Sequence, residues 1–544
     1  MEQPTRREVS AAVRQLLGTV ALRPGQAEAL EAALERDTLA VLATGTGKSL
    51  IYRVAGQLLP GATVVVSPTV SLQQDQLVAL AEAGPPAALL NSLLPRARQR
   101  AVLDRMAAGD LEFLLLSPEQ LAREEVLRAL TATKVSLFVV DEAHCVSSWG
   151  HDFRPDYLGL PAAIAALGRP RVLALTATAS PRVRREIIAA LRMADPAVIV
   201  GEFDRPNIWL GSRLVTDEPA ADAQVLEILA DSFARRLGES GTAIVYVSSR
   251  RRSEELAEAV AATGLAAAHY HGSLSRRQRE ATHTAFLDGS VPVVVATSAF
   301  GLGIDKPDVR LILHADPPED LDAYYQQVGR AGRDGEPARA VLLSWPGGYG
   351  LARYFGAGQG PSGSDLRAVL AALDDQPVQP AALAGRAGLS SARVRRAANA
   401  LIAVGAVAEQ RAGLRRTARG EDAGRAVAEA EHAAQQRRVQ AETAVELVRR
   451  YAETSDCRRR LLLQLLGEEH QQPCGNCDNC DAGTSTTVQA MPFALGQRVE
   501  HAEWGIGVVQ QYEPGRVVVL FDDVGFRTLA LDVVAERELL TPVD

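Results

Sequence analysis

Short apolar runs rich in β-branched residues recur between residues 38 and 345, each followed by a polar turn and a stretch of helical period. TVVVS (63–67), EFLLLS (112–117), LFVVD (137–141), VLALT (172–176), AIVYVS (243–248) and VVVAT (293–297) are the clearest of them. A strand that is apolar along its whole length needs cover on both faces. Followed each time by a helix, such strands predict parallel sheets built from βαβ units. The series breaks near residues 205–240, which predicts two α/β lobes, residues 1–205 and 206–355, with a cleft between them.

The pattern then changes. GAGQGPSG (356–363) has the composition of a linker. Residues 364–420 read as a winged-helix-like domain. There PAALAGRAGLSSARVRRAANALIAVGAV (380–407) gives helix, Gly-containing turn and second helix, and EQRAGLRRTARG (409–420) a basic wing. An ordinary Ala-rich helical bundle fits the same composition. Residues 425–482 are amphipathic helices that run into a cysteine cluster. DAGTSTTVQAMP (481–492) reads as a second, flexible linker, and residues 493–544 as a small SH3/tudor-like β-barrel of short alternating strands.

ATGTGKS (43–49) stands between the strand LAVLA and a helix, the context a phosphate-binding loop requires. Thr44, Gly45 and Gly47 let backbone N–H groups approach phosphates, Lys48 adds a point charge, and Ser49 can ligate Mg²⁺. The first glycine of the usual pattern is replaced by Leu42. The basic residues are nearly all arginine, the lysines being Lys48, Lys134 and Lys306, so a retained lysine marks a position that needs a compact ammonium.

Residues 141–157 read DEAHCVSSWGHDFRPDY. Asp141 and Glu142 end an apolar strand, one suited to a magnesium shell and the other to activating a water. His144 can link this site to the opposite lobe, and Cys145 reads as a buried structural thiol. Trp149, His151, Phe153 and Arg154 supply aromatic and cationic groups suited to stacking on unpaired bases. A hydrolysis site next to a nucleic-acid sensor fits a motor better than a simple ATPase. Net charge is −8, so contact with nucleic acid must come from local patches and not from the field of the whole molecule.

In the second lobe QQVGRAGRDG (326–335) places Arg330 and Arg333 after a helix, as arginines that reach across a cleft to γ-phosphate charge. TSAFGLGIDKPDVR (297–310) ends a strand in a Gly-rich loop carrying Asp305 and Lys306. Cys457, Cys474, Cys477 and Cys480 form C-x16-C-x2-C-x2-C, which suits a closed tetrahedral zinc site, with an iron–sulfur cluster as the rival.

From about residue 15 to 350 the chain closely resembles the RecQ family of superfamily 2 DNA helicases. LRPGQAEAL (22–30), SPTVSLQQDQ (67–76), SPEQL (117–121), ALTATA (174–179), FDRPNI (203–208) and YHGSL (270–274) carry the resemblance together with the motifs above. Its most specific part is WGHDFRP after DEAH; the cysteine pattern with CRRRLLLQLLGE (457–468) also looks like that family's zinc subdomain. The resemblance implies two RecA-like lobes, then the winged-helix-like domain, a helical zinc-binding subdomain and the barrel. It implies ATP, Mg²⁺ and Zn²⁺ as cofactors, and ATP-driven 3′→5′ unwinding of duplex DNA in repair or recombination. Arg23 and Gln26 would read adenine, and the tract from Trp149 to Arg154 would couple single-strand contact to hydrolysis.

The chain departs from the family at Thr19, where an adenine-stacking aromatic is usual, and in placing the winged-helix-like segment before the zinc helices. In place of the usual C-terminal helical domain stands the barrel, which resembles that of UvrD-type helicases. That implies a protein partner, RNA polymerase or repair proteins, with Trp504 either anchoring the partner or filling the barrel core. With no apolar run long enough for a membrane, the expectation is a monomeric, nucleoid-associated protein of the bacterial cytoplasm. An RNA helicase or duplex remodeller, and a non-motor DNA-binding scaffold, are the other function classes the motifs admit.

Overall fold

A computed structural model of the chain describes residues 12–14, 22–23, 25–147, 154–235, 241–301, 304, 306–350, 360–374, 376–410, 413–488, 491–522 and 524–543. The chain divides into two compact units, Met1–Gly348 with Val448–Asp544, and Tyr349–Leu447.

The first unit opens with seven strands: β1 (Thr38–Val41), β2 (Ala62–Val66), β3 (Ala87–Leu90), β4 (Phe113–Leu116), β5 (Val135–Val140), β6 (Arg171–Thr176) and β7 (Ala197–Val200). They form one sheet in the order β3-β4-β2-β5-β6-β1-β7, with every pair parallel. β1, β2 and β4 are buried along their whole length, as strands covered by helices on both faces must be. Parallel pairing brings all carboxyl ends to one edge. Val41 of β1 stands opposite Thr176 of β6, and Val140 of β5 opposite Ala174. The segments that follow β1, β5 and β6 therefore emerge side by side.

The second lobe repeats the plan with β8 (Ile208–Leu214), β9 (Thr242–Tyr246), β10 (Ala267–Tyr270), β11 (Val293–Ala296), β12 (Val309–His314) and β13 (Ala338–Ser344). The order is β10-β11-β9-β12-β13-β8, again all parallel. Each lobe has its own apolar core, the first around Ile51, Val65 and Leu137, the second around Val225, Val245 and Leu313.

The second unit packs the helices Gly363–Ala371, Pro380–Ala387 and Ser391–Ala403 over a hairpin of β14 (Val407–Gln410) and β15 (Gly413–Arg416). Gly388, in left-handed conformation, ends the middle helix, and the Ser390 side chain caps the next by accepting from Arg393 N. Val378 and Leu414 exchange backbone hydrogen bonds of 2.8 Å, which adds a third short strand to the hairpin. The helix Ala423–Glu453 follows and ends in the first unit.

The chain closes in a five-stranded antiparallel sheet of β16 (Arg498–His501), β17 (Gly505–Glu513), β18 (Arg516–Phe521), β19 (Gly525–Ala530) and β20 (Thr541–Pro542), ordered β19-β18-β17-β16-β20. The linker expected before it is not a loose tether. Val488 N donates to the Gln471 carbonyl at 3.1 Å, Thr487 Oγ1 to Gln472 Oε1 at 2.9 Å, and Arg460 donates to the Thr486 carbonyl. The Val488 side chain is buried in the sheet's core beside Val509 and Tyr512. Trp504 is half-buried there, stacked on His501 with ring centroids 4.1 Å apart. Among the described residues no helix is long and apolar enough to cross a membrane.

Candidate functional site

The loop after β1 turns through Gly45 (φ 77°) and Gly47 (φ 76°), a conformation that side chains with a Cβ resist. Lys48 then starts the helix Ser49–Leu58, with its ammonium donating to the carbonyls of Leu42 at 3.1 Å and Ala43 at 3.5 Å. Leu42 is tolerated where the pattern has glycine because its side chain packs against two positions without one: a Cβ on Gly25 or Gly201 would lie 2.9 Å from Leu42 Cδ2. Gln26 accepts from Arg23 N at 2.8 Å and donates to the carbonyls of Thr46 and Gly47, while Arg23 reaches the Gly45 carbonyl at 3.3 Å. Both residues thus brace the phosphate loop. Thr19 lies outside the described residues.

Asp141 is buried at the end of β5 and accepts from Gln76 Nε2 at 2.6 Å. Burial, and then the neighbouring Glu142, push its carboxyl pKa up. Burial pushes the pKa of the Lys48 ammonium down, against the pull of Glu142 and Asp141. A cation beside Asp141 would offset the burial penalty on its charge, so the carboxylate fits Mg²⁺. Glu142 holds φ at 49°, a strained value for a residue with a side chain. Its Oε2 lies 3.3 Å from His144 Nδ1, which is 2.8 Å from Thr176 Oγ1 at the end of β6. Thr176 Oγ1 donates to the Thr178 carbonyl at 2.9 Å, and Thr178 Oγ1 accepts from Gln326 Nε2 of the second lobe at 3.2 Å.

The second lobe presses directly on this loop. A Cβ on Gly329 would lie 2.3 Å from Thr44 Oγ1, and one on Gly45 would lie 3.5 Å from Arg333 Nε. Arg333 therefore lies over the phosphate loop. Arg330 is buried behind it, bonded to Tyr246 and packed on Gly301. From the connection between the lobes Arg205 donates to the carbonyls of Gly329 at 3.0 Å, Ala331 at 2.8 Å and Gly332 at 2.9 Å, holding the arginine-bearing turn from below. Gln76, Thr176, Thr178, Arg205 and Gln326 were not singled out in the sequence, although each lies inside a tract quoted from it. Arg154 donates to the Pro68 carbonyl at 2.7 Å, and Cys145 is buried. Trp149, His151, Phe153 and Asp305 lie outside the described residues.

The Sγ atoms of Cys457, Cys474, Cys477 and Cys480 all lie within 4.8 Å of one another, with Cys474 and Cys480 3.8 Å apart. Tetrahedral thiolates at Zn–S of about 2.3 Å stand about 3.8 Å apart, so the four sulfurs fit a zinc ion. Backbone N–H groups of Cys474, Asn476 and Cys480 donate to cluster sulfurs at 3.4 Å each, which favours thiolates. Residues beside the cluster hold the connection between the lobes and the strand β8 that follows it. Asn476 Nδ2 donates to the Pro206 carbonyl, Asp481 accepts from Trp209 Nε1, Asp478 accepts from Ser212 N, and Arg459 pairs with Asp204, all between 2.6 and 2.9 Å.

Three family models match the chain: "DEAD/DEAH box helicase" over residues 23–187, "Helicase conserved C-terminal domain" over 224–335 and "RecQ zinc-binding" over 415–481. The "ATP-dependent DNA helicase RecQ" of Pasteurella multocida is 33% identical over 480 residues, 88% of this chain and 63% of that protein. Its Haemophilus influenzae counterpart is 32% identical over 481 residues, 88% of this chain and 64% of the other. The chain thus spans just under two thirds of the length of these two relatives. The "Probable ATP-dependent DNA helicase RecS" of Bacillus subtilis is 39% identical over 340 residues, 62% of this chain and 67% of that protein. Among solved structures, DUF1998 helicase MrfA bound to DNA aligns with a TM-score of 0.52 at 17% identity, over 63% of this chain and 52% of that one. A variant of S. cerevisiae Dbp5 bound to RNA and ADP BeF3 gives 0.51 at 17%, over 65% and 93%. At that identity the likeness bears on the fold alone. The identity to the curated relatives spans both lobes and, in the first two, most of the chain, and the four-sulfur cluster lies in the segment matched by the zinc-binding model; the chain belongs to the RecQ family of helicases.

Proposed function

We propose that this protein is an ATP-dependent DNA helicase that unwinds duplex DNA while moving 3′→5′ along a single strand, in repair or recombination. The observation that carries this reading is the hydrogen-bonded path from His144, 3.3 Å from Glu142, through Thr176 and Thr178 to Gln326, which ties the hydrolysis site of one lobe to the helix that precedes Arg330 and Arg333 on the other. A path between the lobes is what a motor needs if hydrolysis is to change their arrangement.

ATP, bound with Mg²⁺, supplies the phosphoanhydride chemistry. The chain's own part is to bind and orient. Thr44, Gly45, Gly47 and Lys48 receive the phosphates, Ser49 and Asp141 the magnesium, and Arg23 with Gln26 the adenine side. Glu142 takes a proton from the attacking water, with His144 beside its carboxylate at 3.3 Å. Arg333 and Arg330 offset charge developing at the γ-phosphate, and Asp305 joins from the Gly-rich loop. Trp149, His151, Phe153 and Arg154 meet the single strand.

The protein acts as a monomer on DNA in the bacterial cytoplasm, at the nucleoid. A protein partner such as RNA polymerase or a repair protein would add to the edge strand β19, close to Trp504. The test is unwinding of duplexes with a 3′ or a 5′ overhang, beside ATPase assays on single-stranded DNA, duplex DNA and RNA. Unwinding only from the 3′ overhang, lost in Lys48→Ala and Glu142→Gln, is expected. RNA as the better activator, or turnover without strand separation, would overturn the reading.

A further inference from the structure

The helix Pro181–Ala190 begins immediately after Thr178, Ala179 and Ser180, so whatever fixes its first turn also fixes the inter-lobe hydrogen bond at Thr178. Two C-terminal segments grip that first turn. A Cβ on Gly496, just before β16, would lie 2.3 Å from Pro181 Cβ, and one on Gly467 would lie 2.7 Å from Pro181 Cγ. Only glycine lets backbone approach a proline ring so closely. Arg185 NH1 donates to the Gly496 carbonyl at 3.1 Å, Arg184 donates to the Leu466 carbonyl, and Arg182 lies 3.5 Å from Asp522 at the end of β18.

The same helix reaches the root of the aromatic-rich tract. Glu186 accepts from Ser147 Oγ at 2.6 Å with one oxygen and faces Arg182 Nε at 3.5 Å with the other. From its far side the C-terminal sheet is fixed to the zinc-bearing helices, where Gln464 Oε1 accepts from Tyr512 N at 2.8 Å and Arg450 pairs with Glu513 at 2.7 Å. The sheet is thus held between the zinc subdomain and the helix that follows Thr178 and contacts Ser147 through Glu186. A module tethered only to recruit a partner needs none of these contacts.

We infer that the C-terminal sheet is a positioning element of the motor: seated on Pro181 and Arg185, it holds the helix Pro181–Ala190 so that Thr178 and Ser147 keep their places, and it thereby sets how strongly single-stranded DNA stimulates ATP hydrolysis. This rests on the helicase reading above and adds a role for a part of the chain outside the three matched family segments. Glu186, Arg185 and Gly496 are positioning residues, which act through Ser147 and the first turn of the helix.

The experiment uses the full chain with Gly496→Val, Glu186→Ala and Glu186→Gln. It records basal ATPase, maximal stimulation by an oligothymidylate, the oligonucleotide concentration for half stimulation, and zinc content. Gly496→Val and Glu186→Ala are expected to lower maximal stimulation roughly fivefold, the order of one lost hydrogen bond, with basal turnover within about twofold. Glu186→Gln keeps an acceptor for Ser147 and is expected to recover most of the stimulation. Full stimulation in both Gly496→Val and Glu186→Ala, or an equal fall in basal and stimulated rates in Glu186→Ala, would overturn the inference alone. A wild-type chain that hydrolyses ATP without response to single-stranded DNA would overturn the helicase reading, and this inference with it.

Discussion

Gln326 of the second lobe donates its side-chain amide to Thr178 Oγ1 of the first at 3.2 Å, and both groups are buried. One polar contact of this kind, shielded from water, can report the state of one lobe to the other because breaking it leaves an unpaired amide in a low-dielectric site. Gln326→Ala is expected to leave nucleotide affinity within about threefold but to lower DNA-stimulated turnover roughly tenfold. Equilibrium binding of a fluorescent ATP analogue beside steady-state ATPase checks this. Unchanged stimulated turnover would show that the lobes communicate by another route.

Gly329 gives a steric test of the same closure. With Thr44 Oγ1 2.3 Å from where its Cβ would stand, Gly329→Ala is expected to displace either the Thr44 side chain or the second lobe from the phosphate loop. KM for ATP should rise and turnover fall together. Removing the obstacle in the double variant Gly329→Ala, Thr44→Ala should recover part of the turnover lost relative to Thr44→Ala alone, a non-additive result that a double-mutant cycle reads directly. Strict additivity would place the damage elsewhere.

Most of the fold and the core of the site were legible in the sequence because the phosphate loop, the acidic pair and the ALTATA tract each sit at the end of an apolar strand, and parallel pairing leaves such ends nowhere to go but one edge. The four cysteines were legible because metal geometry constrains spacing. What was not legible has a common cause. Gln26 and Arg23 brace the phosphate loop through backbone carbonyls, which carry no sequence signal. The seating of Pro181 against Gly467 and Gly496 joins positions about 300 residues apart through the absence of side chains, and a glycine read alone suggests a turn. The Ser/Thr-rich segment before the sheet has a linker's composition, yet Val488 buries itself in a core that only the folded sheet provides.

The zinc cluster carries a prediction about the connection between the lobes. Asp478, Asp481 and Asn476 lie between or beside the ligands and bond Ser212, Trp209 and Pro206. Their grip depends on the ligand loop being closed, and closing it with metal is part of the folding free energy. One zinc per chain is expected by elemental analysis. Cys477→Ser should lower the thermal midpoint and expose the connection before β8, residues 203–207, to protease before either lobe core is cut. Protection of that stretch in metal-depleted protein would mean that the grip does not need the metal.

His314, at the end of β12, gives the last prediction, on acid stability. It is buried, and burial pushes its imidazole pKa down from 6.5 to about 4. Its Nε2 lies 2.7 Å from Gln327 Oε1, an oxygen that only accepts, so Nε2 carries a proton, while the buried Nδ1 meets no acceptor among the described residues that would hold a second one. Tyr246 stacks on one side with centroids 5.3 Å apart, and Tyr324 lies tilted at 4.9 Å. These rings leave little room for water around an imidazolium. In the unfolded chain the imidazole titrates normally, so between pH 6.5 and about 4 the unfolded state holds more protons than the folded one. The stabilising contribution of neutral His314 is therefore complete above pH 6.5 and is lost as pH falls toward 4, by up to about 3 kcal/mol. Urea unfolding followed across this window should show a steeper loss of stability in wild type than in His314→Asn, the difference approaching one proton per molecule near pH 5. Parallel slopes for the two proteins would mean that the ring takes up its proton in the folded state as readily as in the unfolded chain, and that Tyr246 and Tyr324 do not hold it neutral.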